Sequence, residues 1–203
     1  VVLSRYVVQN YSSLDAYFTH ILTEKELIDI TLYRKKYCYV QMWSTKLMRL
    51  KSTYDIIEFE PNQIIQFSRL EKAGVTKQML REFCDKVYQF VEEGTYFSAK
   101  SLRMSGFQSE LYDLGFSDWF YASVLCVDGR FSFNNMFRSL ILYKGNMPIS
   151  TNSFVYDYVK RVGSIDIYEL MDILENEYDC KLTDRNRFMR GIYGINLYYD
   201  PIL

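Results

Sequence analysis

The sequence predicts a mainly α chain with short β wings, an α+β class laid out as successive small domains. Three observations carry this expectation. Apolar residues recur at helical spacing in short stretches, each stretch is bounded by a capping Ser, Thr or Asp and a closing Gly, and one order of elements comes round more than once.

The middle of the chain shows the order most clearly. Thr76 is a candidate N-cap, and Leu80, Phe83, Val87, Phe90 and Val91 then follow at helical spacing up to Gly94. Thr95-Tyr96-Phe97 is short and β-prone. Ser98 is placed to cap a helix from Ala99 to about Met104, with Gly106 ending it. Ser117 is placed to cap a third helix carrying Trp119, Phe120, Ala122, Val124 and Leu125. Asp128-Gly129 marks a turn, and Arg138 to Tyr143 reads as a strand.

The last third repeats the order. Phe154, Val155, Tyr158, Val159 and Val162 form a helix stopped by Gly163, and Ser164-Ile165 is the short extended piece. Asp166-Ile167-Tyr168-Glu169 has the form of a capping box, followed by Leu170, Met171, Ile173 and Leu174 as a buried face. Thr183 is expected to cap a helix running to about Ile192, and Ile195 to Tyr199 reads as a strand before Asp200-Pro201. Phe97-Ser98-Ala99-Lys100-Ser101-Leu102 lies over Ile165-Asp166-Ile167-Tyr168-Glu169-Leu170. In both, an apolar residue precedes the cap and a Leu follows four residues after it.

The first third is expected to be a further copy. Thr23-Glu24-Lys25-Glu26 has capping-box spacing and leads to Leu27 and Ile30, and Tyr54 to Phe59 alternates partly like a strand that stops at Pro61-Asn62. The expected division is 1–72, 73–147 and 148–203. Three short helices closed by a strand within such lengths is the winged-helix pattern, so tandem winged-helix domains are the expected architecture. The closing strand must pair with the extended piece after the first helix, because a lone strand leaves its backbone groups unsatisfied.

Composition bounds the function. Apolar residues are 49% and charged residues 24%, the balance of a folded globular chain. Aromatics reach 17%, with 19 Tyr and 14 Phe, which fits several small cores filled by large rings. No apolar run approaches the length of a bilayer-spanning helix, and no secretory leader is evident, so a cytoplasmic setting without membrane contact is expected. The opening Val1-Val2-Leu3 lacks Met and reads as the start of a fragment. Cys38, Cys84, Cys126 and Cys180 are widely spaced, with no Cys-x-x-Cys pair, and are expected as reduced, buried thiols. With His20 the only histidine, no metal site and no catalytic cluster is expected. The Gly-rich phosphate loops and the G-x-S-x-G and H-E-x-x-H motifs are missing too, so neither cofactor nor enzyme activity is expected. Glu92-Glu93 and the acidic run Asp172, Glu175 and Glu177 are read as solvated helix faces.

Net charge is −1, from 24 Lys plus Arg against 25 Asp plus Glu. Any nucleic-acid surface must therefore be local. The strongest local signal is residues 31–51, which hold Arg34, Lys35, Lys36, Lys46, Arg49 and Lys51 with no carboxylate. Tyr33, Tyr37, Tyr39 and Trp43 are interleaved, a mixture suited to phosphate contact and base or sugar packing. A second group is Lys181, Arg185, Arg187 and Arg190, with Asp184 the one acid between 181 and 190. Arg187 and Arg190 share a helix face. For the first group the alternatives are a basic solvated face with its aromatics in the core, or a protein contact; for the second, the alternative is surface arginines that keep a small domain soluble. The corresponding middle helix, Asp118 to Leu125, has no basic residue and is expected to serve as core, spacer or protein contact.

The runs 95–103, Gly106-Phe107 and Leu114-Gly115-Phe116-Ser117-Asp118-Trp119-Phe120-Tyr121 resemble the C-terminal region of bacterial sigma-factor-like helix-turn-helix DNA-binding proteins. Ser164 to Leu170 and Asn196 to Pro201 extend the likeness. The helix layout is similar to the HARE-type winged helix, a module shared with the delta subunit of bacterial RNA polymerase. The likeness covers about residues 76–203 and implies tandem winged helices in transcription or DNA processing, with DNA and a protein such as RNA polymerase or another regulator as partners. It carries no base-contacting residues over to this chain.

Overall fold

A computed structural model describes residues 10–192 and Leu197. The chain is mixed α+β. Its packing divides it into two compact units: residues 1–84 with 113–128, and residues 85–112 with 129–203.

In the first unit the order is α1 (Leu14–Thr23), β1 (Leu27–Asp29), α2 (Thr31–Tyr37), α3 (Gln41–Ser52), β2 (Ile56–Glu60) and β3 (Gln63–Gln66). A short α4 (Phe67–Lys72) and the start of α5 (Lys77–Phe90) follow, and α7 (Asp118–Leu125) joins the unit from later in the chain. Ser13 caps α1 through its hydroxyl, which accepts from the Ala16 amide at 3.1 Å. The three strands form an antiparallel sheet in the order β1-β3-β2, with Ile28 opposite Ile64 and Ile57 opposite Ile65. Phe18, Leu22, Ile30, Ile56 and Ile64 are fully sealed at the centre, with Tyr37, Trp43, Leu47 and Leu50 packed around them. Trp43, Lys46, Leu47 and Leu50 recur at three- and four-residue intervals, which sets the inward face of α3.

The second unit takes the rest of α5, then β4 (Tyr96–Phe97), α6 (Ala99–Met104), a 3-10 turn (Glu110–Leu114), β5 (Phe131–Met136) and β6 (Ser139–Lys144). The helices α8 (Thr151–Val162), α9 (Ile167–Tyr178) and α10 (Arg185–Gly191) complete it. Its sheet has the order β4-β6-β5, so each closing hairpin pairs with the short strand that follows a first helix. Phe154, Val155, Leu174, Ile141 and Phe188 lie at the core. Ser98 caps α6 by a reciprocal pair with Ser101, and Asp166 caps α9 by accepting from the Tyr168 and Glu169 amides at 2.8 and 3.2 Å. Phe97 and Leu102 are buried on either side of the first cap, as is Leu170 after the second. Gly163 ends α8 at φ 82°, a conformation a Cβ disfavours.

Several local expectations are corrected. Thr23 is the last residue of α1, its hydroxyl bonded to the Thr19 carbonyl at 2.8 Å, and Leu27–Asp29 is a strand; a capping-box spacing here ends a helix instead of starting one. Arg138 does not open the terminal strand. Phe137 and Arg138 form the turn between β5 and β6, both at positive φ (48° and 61°). That pairing of φ values is normally left to Asn and Gly. Here it is held because the Phe137 carbonyl accepts from the Lys181 amide at 2.7 Å while its ring meets Phe188. Ser117 precedes α7, but its hydroxyl goes to the Phe59 carbonyl. Asp184, not Thr183, caps α10, accepting from the Arg187 amide at 2.8 Å. Ser164-Ile165 forms no strand among the described residues. The expected strand Ile195 to Tyr199 lies outside them except for Leu197.

Candidate nucleic-acid interface

Helices α2 and α3 of the first unit carry the densest run of cations, and their folding sorts those cations into two kinds. Asp29 accepts from the Thr31 amide at 2.8 Å and so fixes the start of α2, and hydrogen bonding from Thr31 holds the Asp29 carboxyl below the usual carboxylate range. The inward face of α3 docks Trp43 onto Phe18 and Tyr37, with ring centroids at 5.4 and 5.8 Å. Tyr17 and Tyr37 share a hydroxyl–hydroxyl contact of 3.0 Å, which together with burial pushes the Tyr17 phenol up to about 12. The interleaved aromatics Tyr37 and Trp43 are therefore core, while Tyr33 packs against that core and Tyr39 is exposed.

Three of the predicted cations are committed to carboxylates. Lys46 is buried on the inward face, with its Nζ 2.6 Å from Asp15, so it presents no charge to solvent. Lys51 and Arg34 both converge on the buried Glu58 carboxylate, Arg34 at 3.2 Å. Glu58 also accepts from the Asn62 amide at 2.8 Å, and its backbone carbonyl accepts from Ser123 on α7 at 2.5 Å. These contacts tie β2 to α2, α3 and α7, and they use charge that the sequence alone offered to a ligand.

Lys35, Lys36 and Arg49 remain exposed, and among the described residues none forms an ion pair with a carboxylate. Arg49 lies on the outward face of α3, where Gln41, Met42, Thr45, Met48, Arg49 and Ser52 are all exposed within one arc of the helix, and Lys35 and Lys36 lie on α2. Exposed apolar residues occur in the same stretch of chain: Leu32 is 78% exposed, Tyr39 83%, Met42 44% and Met48 49%. Composition counts could not find these, because the signal lies in which α3 residues the core leaves outside.

The second group falls on α10 and the segment before it. Lys181 pairs with Asp179 at 2.6 Å, and that hydrogen bond raises its pKa. Arg185 lies over the Tyr168 ring at 5.8 Å. Arg187 and Arg190 are exposed, with Arg190 Nε donating to the Asn186 carbonyl at 3.3 Å. In α7, by contrast, Phe120, Tyr121, Val124 and Leu125 are buried, as a basic-free helix was expected to be.

No group of His, Cys, Asp and Glu suited to a metal ion occurs among the described residues, and His20 sits on the surface of α1 with Glu24 at 4.0 Å. No helix among them is long and apolar enough to cross a membrane. All four cysteines are free, and Cys38 is the exposed one. Burial pushes the Cys126 thiol up, and the Cys180 thiol up to about 12. A thiol-reactive aromatic disulfide at neutral pH is therefore expected to label Cys38 fast, the partly covered Cys126 slowly, and Cys84 and Cys180 only on unfolding. Two or more rapid equivalents would contradict the packing around Cys84, Cys126 and Cys180.

No family model, curated protein or solved structure matches the chain.

Proposed function

We propose that the chain is a non-catalytic, tandem winged-helix region that binds DNA within a transcription-associated assembly in the bacterial cytoplasm. The observation that carries this reading is the first unit's order, helix-strand-helix-helix-hairpin, with the sheet order β1-β3-β2 and the third helix turning Arg49 and an acid-free face to solvent. In a winged helix the third helix enters the major groove. On that reading Arg49 points toward the duplex, and Lys35 and Lys36 attract the phosphates beside it. Arg187 and Arg190 on α10 give the C-terminal repeat a smaller surface of the same kind. The near-neutral total charge fits a local contact in place of a wholly basic domain.

The test is duplex affinity against salt. Each phosphate neutralised contributes about −0.9 to the slope of log affinity on log salt, so Lys35, Lys36 and Arg49 together predict a slope of about −3. Reversing those three charges is expected to flatten the slope and weaken binding. Reversing Arg185, Arg187 and Arg190 measures the share of α10. Affinity unchanged by both sets of reversals would defeat the proposal. A second reading, a protein-interaction scaffold, is favoured by Leu32 and Tyr39, two large apolar side chains left almost wholly exposed in one short stretch of chain. It predicts a chain that ignores duplex at low salt yet co-elutes with a purified protein such as RNA polymerase.

A further inference from the structure

We infer that the first unit reads A·T-rich duplex through thymine methyl groups, using the outward face of α3; the inference rests on the DNA-binding proposal above. That face presents a specific set of chemical groups. Met42, Met48 and the methyl of Thr45 are apolar and exposed, and they alternate with Gln41, Arg49 and Ser52 on one side of a helix of 12 residues. The opposite side of the same helix is sealed by Trp43, Leu47 and Leu50, so the rotation of α3 about its own axis is fixed by the core.

The major groove offers one apolar group, the C5 methyl of thymine. Guanine is read by a forked Arg or by Lys, cytosine by a carboxylate, and adenine by the amide of Asn or Gln. The outward face of α3 holds no carboxylate, a single Arg and one Gln. Its supply of groups therefore matches thymine and adenine and leaves G·C pairs with Arg49 alone. Lys35 and Lys36 lie on α2, outside this face. They contribute attraction to phosphates, which carries no sequence preference. Met42 and Met48 leave about half of their surface uncovered, and against a thymine-lined groove each gains a dry contact.

The experiment compares three short duplexes of one length by fluorescence anisotropy: alternating A·T, alternating G·C, and the A·T duplex with every thymine replaced by deoxyuridine. Deoxyuridine removes the methyl and leaves every hydrogen-bonding edge in place. Tightest binding is expected for the thymine duplex. Loss of its methyls is expected to weaken binding about fourfold for each methyl buried, the equivalent of one CH₂ group. Met42→Ser with Met48→Ser is expected to lower the thymine-to-deoxyuridine ratio to what the Thr45 methyl alone supports, while the salt slope persists because the three cations are untouched. Both positions are about half exposed, so the circular dichroism of the variant should match the parent and its unfolding midpoint should fall only slightly. Equal affinity for the thymine and deoxyuridine duplexes overturns the inference and leaves the DNA-binding proposal standing. The same holds for a ratio that the double substitution leaves unchanged. Failure to bind any of the three with salt dependence overturns both and leaves the apolar face to a protein partner.

Discussion

Glu58→Ala is expected to lower the free energy of unfolding by about 3–5 kcal/mol, the usual cost of removing one member of a buried charge pair. The Glu58 carboxylate is almost wholly enclosed and holds Lys51, Arg34 and the Asn62 amide at once. Truncation leaves the Lys51 ammonium, itself largely buried, without a counter-charge and strips an acceptor from the hairpin turn. The loss of Arg34 contributes little, since that side chain is half-exposed and its pairing is screened by solvent. Urea unfolding reads the effect directly. Glu58→Leu combined with Lys51→Met should recover most of the loss, because the expense lies in an orphaned charge and not in the missing attraction. A single variant within about 1 kcal/mol of the parent would show that Glu58 is solvated in the folded protein.

Phe18→Ala is expected to cost about 3–5 kcal/mol through the cavity it leaves. Phe18 is fully sealed and touches Tyr17, Tyr37 and Trp43 in a chain of tilted and edge-on rings. The same three rings fix α2 and α3 against α1, so the effect reaches the proposed interface. Phe18→Leu keeps most of the volume and should cost far less. An alanine variant as stable as the leucine variant would mean that the neighbouring rings collapse into the space.

What the sequence displayed and what it concealed follow from range. Local signals read true where one residue determines the geometry: Ser98 and Asp166 cap their helices, and Gly163 ends α8. Short strands were harder. Leu27–Asp29 has three residues and gains its identity from pairing with Gln63–Ile65, far along the chain, so its own neighbourhood could not announce it. Phe131–Met136 is half-exposed with Asn134 and Asn135 at its centre, and only its register against Ser139–Lys144 makes it a strand. The basic cluster shows the same limit. Lys46 looked like its neighbour Arg49, and the difference is Asp15, which reaches it across 31 positions. Sequence spacing placed the cations on helices, while tertiary contacts decided which of them remain available.

The path of the chain between its two units bears on how this protein could have been inherited. The backbone crosses at 84–85, at 112–113 and again at 128–129. The late segment carrying α7 belongs with strands laid down some sixty positions earlier, through Ser123 bonded to the Glu58 carbonyl. Neither unit is thus a continuous stretch of gene. A recombination event that lifts out residues 1–84 carries away a sheet stripped of the helix that covers it.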